Sequence, residues 1–135
     1  MNEVYTGVTD LLDMLKDNGK MIYLATSKPL VFAHEILRHF KLDHYFTGVF
    51  GSELDGTYSD KKELIAHILE TLQLDPLQTV MIGDRKHDII GAQHNQIHSA
   101  GVGYGYGSKE ELLNAQATYY YGTLDELTQA CLPAL

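Results

Sequence analysis

Short apolar runs that do not alternate with polar residues constrain this sequence more than any other feature. MIYLA (21–25), TVMI (79–82) and SAGV (99–102) are of this kind, and such runs predict parallel strands buried on both faces. Between them the apolar spacing changes. Val8, Leu11, Leu12 and Leu15 recur at helical intervals with Gly19 as a C-terminal stop, which predicts a helix over 7–18. Phe32, Ile36 and Phe40 mark a second helix, and Leu64, Ile65, Ile68, Leu69 and Leu72 a third, with a short strand around Val49 and Phe50 between them. A further helix is predicted from about Asp88 to Asn95. Capping-box spacings, Ser108 with Glu111 and Thr123 with Glu126, open two more helices around a short edge strand at Tyr119 to Tyr121. Strands alternating with helices predict an α/β fold: a parallel, doubly wound, Rossmann-like sheet with helices on both faces. Ligands of such sheets bind beyond the carboxyl ends of the strands, so chemistry is sought there.

The 135 residues are one domain's worth, and a single domain over 1–135 is expected. Acidic residues number 18 against 10 basic, with no Lys/Arg-rich run. That balance argues against nucleic acid and anionic lipid, and for a small molecule as partner. A single cysteine, Cys131, excludes an internal disulfide and fits a reducing compartment. No apolar run approaches the ~20 residues of a membrane span, and MNEVYTG does not read as a signal peptide. The expected location is the cytoplasm.

Polar residues of a consistent kind follow three of the predicted elements. MIYLA runs into Thr26, Ser27, Lys28 and Pro29. A hydroxyl at a strand end, followed by the first amides of a helix, holds phosphoryl oxygens, although either hydroxyl could equally cap that helix. TVMI runs into GDRKHD, which places Asp84 in a turn after Gly83 and Asp88 at the next helix start. Two such carboxylates suit oxygen ligation of Mg2+, or else serve as a turn former and a cap. Lys61 opens the third helix as a point charge for a phosphate, or as a solubilising surface lysine.

Taken together, these motifs resemble the haloacid dehalogenase-like (HAD) hydrolases, most closely their phosphoglycolate phosphatase-like branch. Thr26 in IYLATSKP matches the family's hydroxyl motif, Lys61 in SDKKELI its lysine motif, and Gly83, Asp84 and Asp88 in VMIGDRKHDIIGA its GD-x-x-x-D motif. TGVTDLLDMLKDNGK and AGVGYGYGSKEEL also look like that branch, so the resemblance covers essentially the whole chain. It implies Mg2+-dependent hydrolysis of a small phosphorylated metabolite. Thr26 and Ser27 would bind phosphate, Lys61 would stabilise its charge, and Asp84 with Asp88 would hold Mg2+ directly or through water.

One motif departs from the pattern. The family's nucleophile lies in D-x-D-G-T at the end of a strand before the hydroxyl motif. The chain instead has ELDGT at 53–57, after that motif, with Glu53 in the first position. Asp55 and Gly56 therefore read as turn formers in an exposed loop. Nothing N-terminal to Tyr23 supplies another D-x-D, so the sequence resembles the family's core without its nucleophile strand or cap, and is expected to be inactive by itself. The alternative is a non-catalytic phosphate-binding or interaction module. Without the central strand, the strands at 21–25 and 79–82 are expected to pair directly, or the gap to be closed by self-association or a complementing N-terminal segment. His94 and His98, with His87 nearby, lack a further zinc ligand and read as surface histidines. GVGYGYG reads as a loop bordering the site.

Overall fold

The computed structural model describes residues 7–103 and 109–134. The elements follow the predicted order: α1 (Val8–Asp17), β1 (Tyr23–Pro29), α2 (Leu30–His39), β2 (Gly48–Ser52), α3 (Lys61–Leu72), β3 (Val80–Gly83), α4 (Lys86–His94), β4 (His98–Val102), α5 (Lys109–Asn114), β5 (Tyr119–Tyr121) and α6 (Leu124–Ala134). Local chemistry sets several boundaries. Asp60 caps α3 by accepting the Lys62 N–H at 2.8 Å. Thr123 caps α6 by accepting the Glu126 N–H at 3.1 Å, while the Glu126 carboxylate reaches back to the Gly122 N–H at 3.0 Å. The Ser108 cap and most of the GVGYGYG loop lie outside the described residues.

All strand pairs are parallel, but they form two sheets. β1 pairs with β2, and β3, β4 and β5 form a separate three-stranded sheet with β4 in the middle. The expected direct pairing of 21–25 with 79–82 is therefore not found. Helix packing gives the reason. α3 lies against β1 and β2, α4 lies against β3 and β4, and the two helices pack on each other. Packed helices are about 8–10 Å apart axis to axis, close to two strand spacings of ~4.8 Å. Strands carried beneath neighbouring helices are thus held a strand-width too far apart to join.

Burial follows from that split. β4, flanked on both sides, buries Ser99 through Val102, whereas Tyr23–Thr26 of β1 and Val80–Ile82 of β3 are only half-buried. The expectation that MIYLA and TVMI are buried on both faces thus fails where each strand keeps an unpaired edge.

Two apolar clusters hold the halves together. On one face, Leu11 and Leu15 of α1 pack with Ala100 and Val102 of β4 and with Leu124 and Leu127 of α6. Ile22, just before β1, joins Val80 and Ile82 of β3 in the same cluster. On the other face, Ile65 of α3 packs with Ala92 of α4 and Ile97, against Met81. α1 thus joins the β3–β4–β5 sheet to the segment that leads into β1. Leu11→Ala is expected to lower unfolding free energy by about 2–4 kcal/mol in urea titration, since it opens a cavity that the separate sheets cannot jointly close. A loss below ~1 kcal/mol would show that α1 does not bind the halves together.

Candidate functional site

Glycine determines how closely α3 approaches α4. A Cβ on Gly91 would lie 3.0 Å from the Lys61 Cβ and 3.1 Å from the Lys61 carbonyl carbon. The first turn of α3 therefore rests directly on the backbone of α4. One turn earlier on α4 stands Asp88, and Lys61 Nζ meets its carboxylate in an ion pair whose side chains are only 12% and 9% exposed. Gly83 plays the matching part at the end of β3, because any side chain there would overlap Asp88. Asp88 is buried, and its second carboxylate oxygen accepts the Arg85 N–H at 3.4 Å. α4 starts at Lys86, earlier than expected, so Asp88 sits inside the first turn instead of opening the helix.

The hydroxyl residues lie in a distorted part of β1. Its ladder to β2 runs through Ala25↔Phe50 and resumes at Pro29↔Ser52, leaving Thr26–Lys28 out of register. There Thr26 Oγ1 accepts the Lys28 N–H at 3.2 Å. α2 begins at Leu30 behind Pro29, without a side-chain cap, so neither Thr26 nor Ser27 caps it.

A cleft of about 500 Å3 opens between these pieces, lined by Ser27, Ser59, Asp60, Lys61, His87 and Ile90 among others. It brings Ser27 and Lys61 together, with Asp88 joined through its ion pair. Thr26 and Asp84 do not line it. Asp84 is half-buried in the turn after Gly83 and makes no side-chain hydrogen bond or ion pair among the described residues. Asp55 is exposed in a turn, its carboxylate accepting the Thr57 N–H at 3.0 Å, and that hydrogen bond lowers its pKa.

Three contributors had weak or no sequence signals. His87 lines the cleft, although with His94 and His98 it had read as a surface histidine. Those two histidines stand exposed at the end of α4 and the start of β4, and among the described residues no three His, Cys, Asp or Glu side chains cluster as a metal site. Gly91 carried no sequence signal of its own. Glu111 was read as half of a capping box whose other half lies outside the described residues; its carboxylate accepts the Lys86 N–H at 3.0 Å and the Arg85 Nε–H at 3.2 Å. Those contacts, the Lys86 amide first, hold its carboxyl below the usual range. They also tie α5 to the start of α4.

The donors available to Mg2+ are hard oxygens, as that ion prefers. Asp84 has a carboxylate without a partner among the described residues, and Asp88 has one shared with Lys61. The pair fits part of a Mg2+ shell.

Comparison with known proteins gives the family. A family model described as "Haloacid dehalogenase-like hydrolase" matches residues 1–102. The chain is 48% identical over 128 residues to a Pseudomonas aeruginosa protein named 5'-nucleotidase, covering 95% of this chain and 58% of that protein. It is 30% identical to a Vibrio cholerae phosphoglycolate phosphatase, covering 98% and 58% respectively. A Mycobacterium tuberculosis protein named tyrosine-protein kinase PtkA is 36% identical, with 96% of this chain and 45% of that one covered. A crystal structure described as a predicted phosphatase from Clostridium acetobutylicum superposes with a TM-score of 0.93 at 48% identity, covering 96% of this chain and 60% of that one. The chain thus spans roughly half to three-fifths of the length of these relatives.

Removing one member of the sheltered Lys61–Asp88 pair should cost about 2–4 kcal/mol, because the other charge is left without its counter-ion. In a double-mutant cycle read by urea denaturation, Lys61→Met and Asp88→Asn should each destabilise, and the double variant should lose clearly less than their sum. Additive losses would mean that the two side chains do not act as a pair.

Proposed function

Because this chain belongs to the haloacid dehalogenase-like hydrolases, we propose that it forms the phosphate-binding and metal-binding part of a phosphatase for small phosphate monoesters. The single observation that carries this reading is the Lys61–Asp88 pair beside Ser27, at the mouth of a cleft fed by β1, α3 and α4. A family resemblance alone would place those residues on separate elements. Their meeting supplies a site for an anion.

In this reading Thr26 and Ser27 donate hydrogen bonds to the phosphoryl oxygens from hydroxyls and neighbouring amides. Lys61 places an ammonium against the charge that develops on those oxygens, and Asp88 keeps that ammonium oriented. Asp84 and Asp88 would hold Mg2+, which supplies further charge neutralisation to the phosphoryl group when bound. His87 stands where it can donate to a leaving group or bind a second oxygen of the substrate. The 135 residues contain no carboxylate in D-x-D-G-T register ahead of β1, so the group that attacks phosphorus must come from a strand set between β1 and β3. Removing a nucleophile from a hydrolase can cost on the order of 10^6 in rate.

The test is an assay of phosphate esters with Mg2+, using this chain by itself and the same chain preceded by a strand carrying D-x-D-G-T. The expected result is background turnover for the first and measurable turnover for the second, lowered about 100-fold or more by Lys61→Met or Asp84→Asn. Turnover by the 135 residues alone that Asp84→Asn abolishes would overturn the reading. A preceded chain that folds and binds phosphate without turnover would favour the non-catalytic alternative.

A further inference from the structure

β2 is the outer strand of its sheet, and it is unprotected. Its only strand partner among the described residues is β1. Thr47 N–H donates to Ile22 O at 2.7 Å, so by the alternation of a parallel ladder Thr47, Val49 and Gly51 address β1. The backbone groups of Gly48 and Phe50 then point outward, whereas Ser52 pairs with Pro29, which has no N–H, so its own N–H and C=O turn back toward β1. Natural edge strands carry Lys or Pro, or are kept very short. Thr47–Ser52 (TGVFGS) contains neither Pro nor any charged residue, whereas the opposite outer strand, β5, is three residues long.

A groove of about 830 Å3 runs along this edge. It is lined by the consecutive residues Val49, Phe50, Gly51 and Ser52, which face alternate sides of the sheet. The groove therefore follows the strand's rim and not one face. Leu30, Val31 and Leu54 border it and are exposed.

Two charges in the same groove decide what fits. Arg38 and Glu53 both line it, and neither has an ion-pair partner among the described residues. They lie toward opposite ends of β2. Glu53 directly follows the strand. Leu30 packs on Gly51, where a Cβ would lie 3.0 Å from the Leu30 Cα. Eight helical residues carry the chain about 12 Å from there to Arg38, back toward the start of the strand.

From this we propose that β2 pairs with β2 of a second copy, antiparallel about a two-fold axis at Phe50, joining two β1–β2 sheets into one. An isologous interface must be self-complementary, and this one is. In that register the partner's Glu53 lies opposite Thr47, beside Arg38, and the symmetric contact repeats the pairing. Phe50 exchanges hydrogen bonds with the partner's Phe50 on the axis, and the exposed Leu30 and Val31 are covered. The interface lies on the far side of β1 from the strand-wide gap, so it is independent of the site and of how that gap is filled.

The experiment is sedimentation equilibrium of the 135-residue chain and of Arg38→Glu, Glu53→Arg and the double exchange, each checked for folding by circular dichroism. The wild type should show a concentration-dependent dimer. Each single reversal should raise the dimer Kd roughly 10–100-fold, and the double exchange should return it to within about threefold of wild type. A monomer at all concentrations overturns the proposal. So does a dimer indifferent to the reversals, which would place association at another face such as the free edges of β1 and β3. Single reversals that weaken the dimer without rescue in the double exchange overturn the register. If a reversal variant fails to fold, Arg38→Gln and Glu53→Gln replace it and must weaken the dimer by a smaller factor.

Discussion

The contact between the first turn of α3 and the glycine of α4 is the constraint on which the rest depends. Gly91 lets the backbone at Lys61 sit against α4, and that approach delivers the Lys61 ammonium to Asp88. The same packing fixes the spacing of the strands beneath, since α3 carries β1 and α4 carries β3. One helix contact thus assembles the charged site and holds open the gap beside it. A bulkier residue at Gly91 would push the helices apart and disturb both together.

The gap and the site belong together physically. β1 and β3 each keep an unpaired edge, and both are less buried than β4, which has neighbours on either side. Unpaired backbone groups at the middle of a sheet are costly when dry. They are tolerable here because the strands remain half-exposed, while the clusters around Leu11 and Ile65 supply cohesion from the two outer layers. The break in the ladder to β2 leaves Thr26–Lys28 without regular strand pairing, and while the Lys28 N–H is taken by Thr26 Oγ1, Ser27 stands exposed at the cleft.

The order and type of the elements were legible in the sequence because each carries a local signal. Apolar runs marked β1, β3 and β4, helical spacing marked α1 to α3, and Thr123 announced α6. Lys61 and Asp88 were legible through their place relative to strand ends. Less could be read where the outcome depends on partners distant in sequence. Whether MIYLA is buried depends on what lies beside it, and no local pattern reports that. Gly91 carried no signal because its value lies in the approach of another helix. The Glu111 link to Arg85 and Lys86 spans some 25 residues, and no local pattern reports it. ELDGT shows the converse risk: its letters match a nucleophile motif, yet Asp55 forms an exposed turn far along the chain from where that chemistry belongs.

The central claim is that the loop after β1 and the start of α3 form one anion site. Titration of the 15N-labelled chain with inorganic phosphate tests it most directly. The account predicts saturable shifts of the Ser27, Lys28, Lys61 and His87 amides along a single binding curve, lost in Lys61→Met. Shifts confined to another surface, or no saturable shift at these four amides, would contradict it.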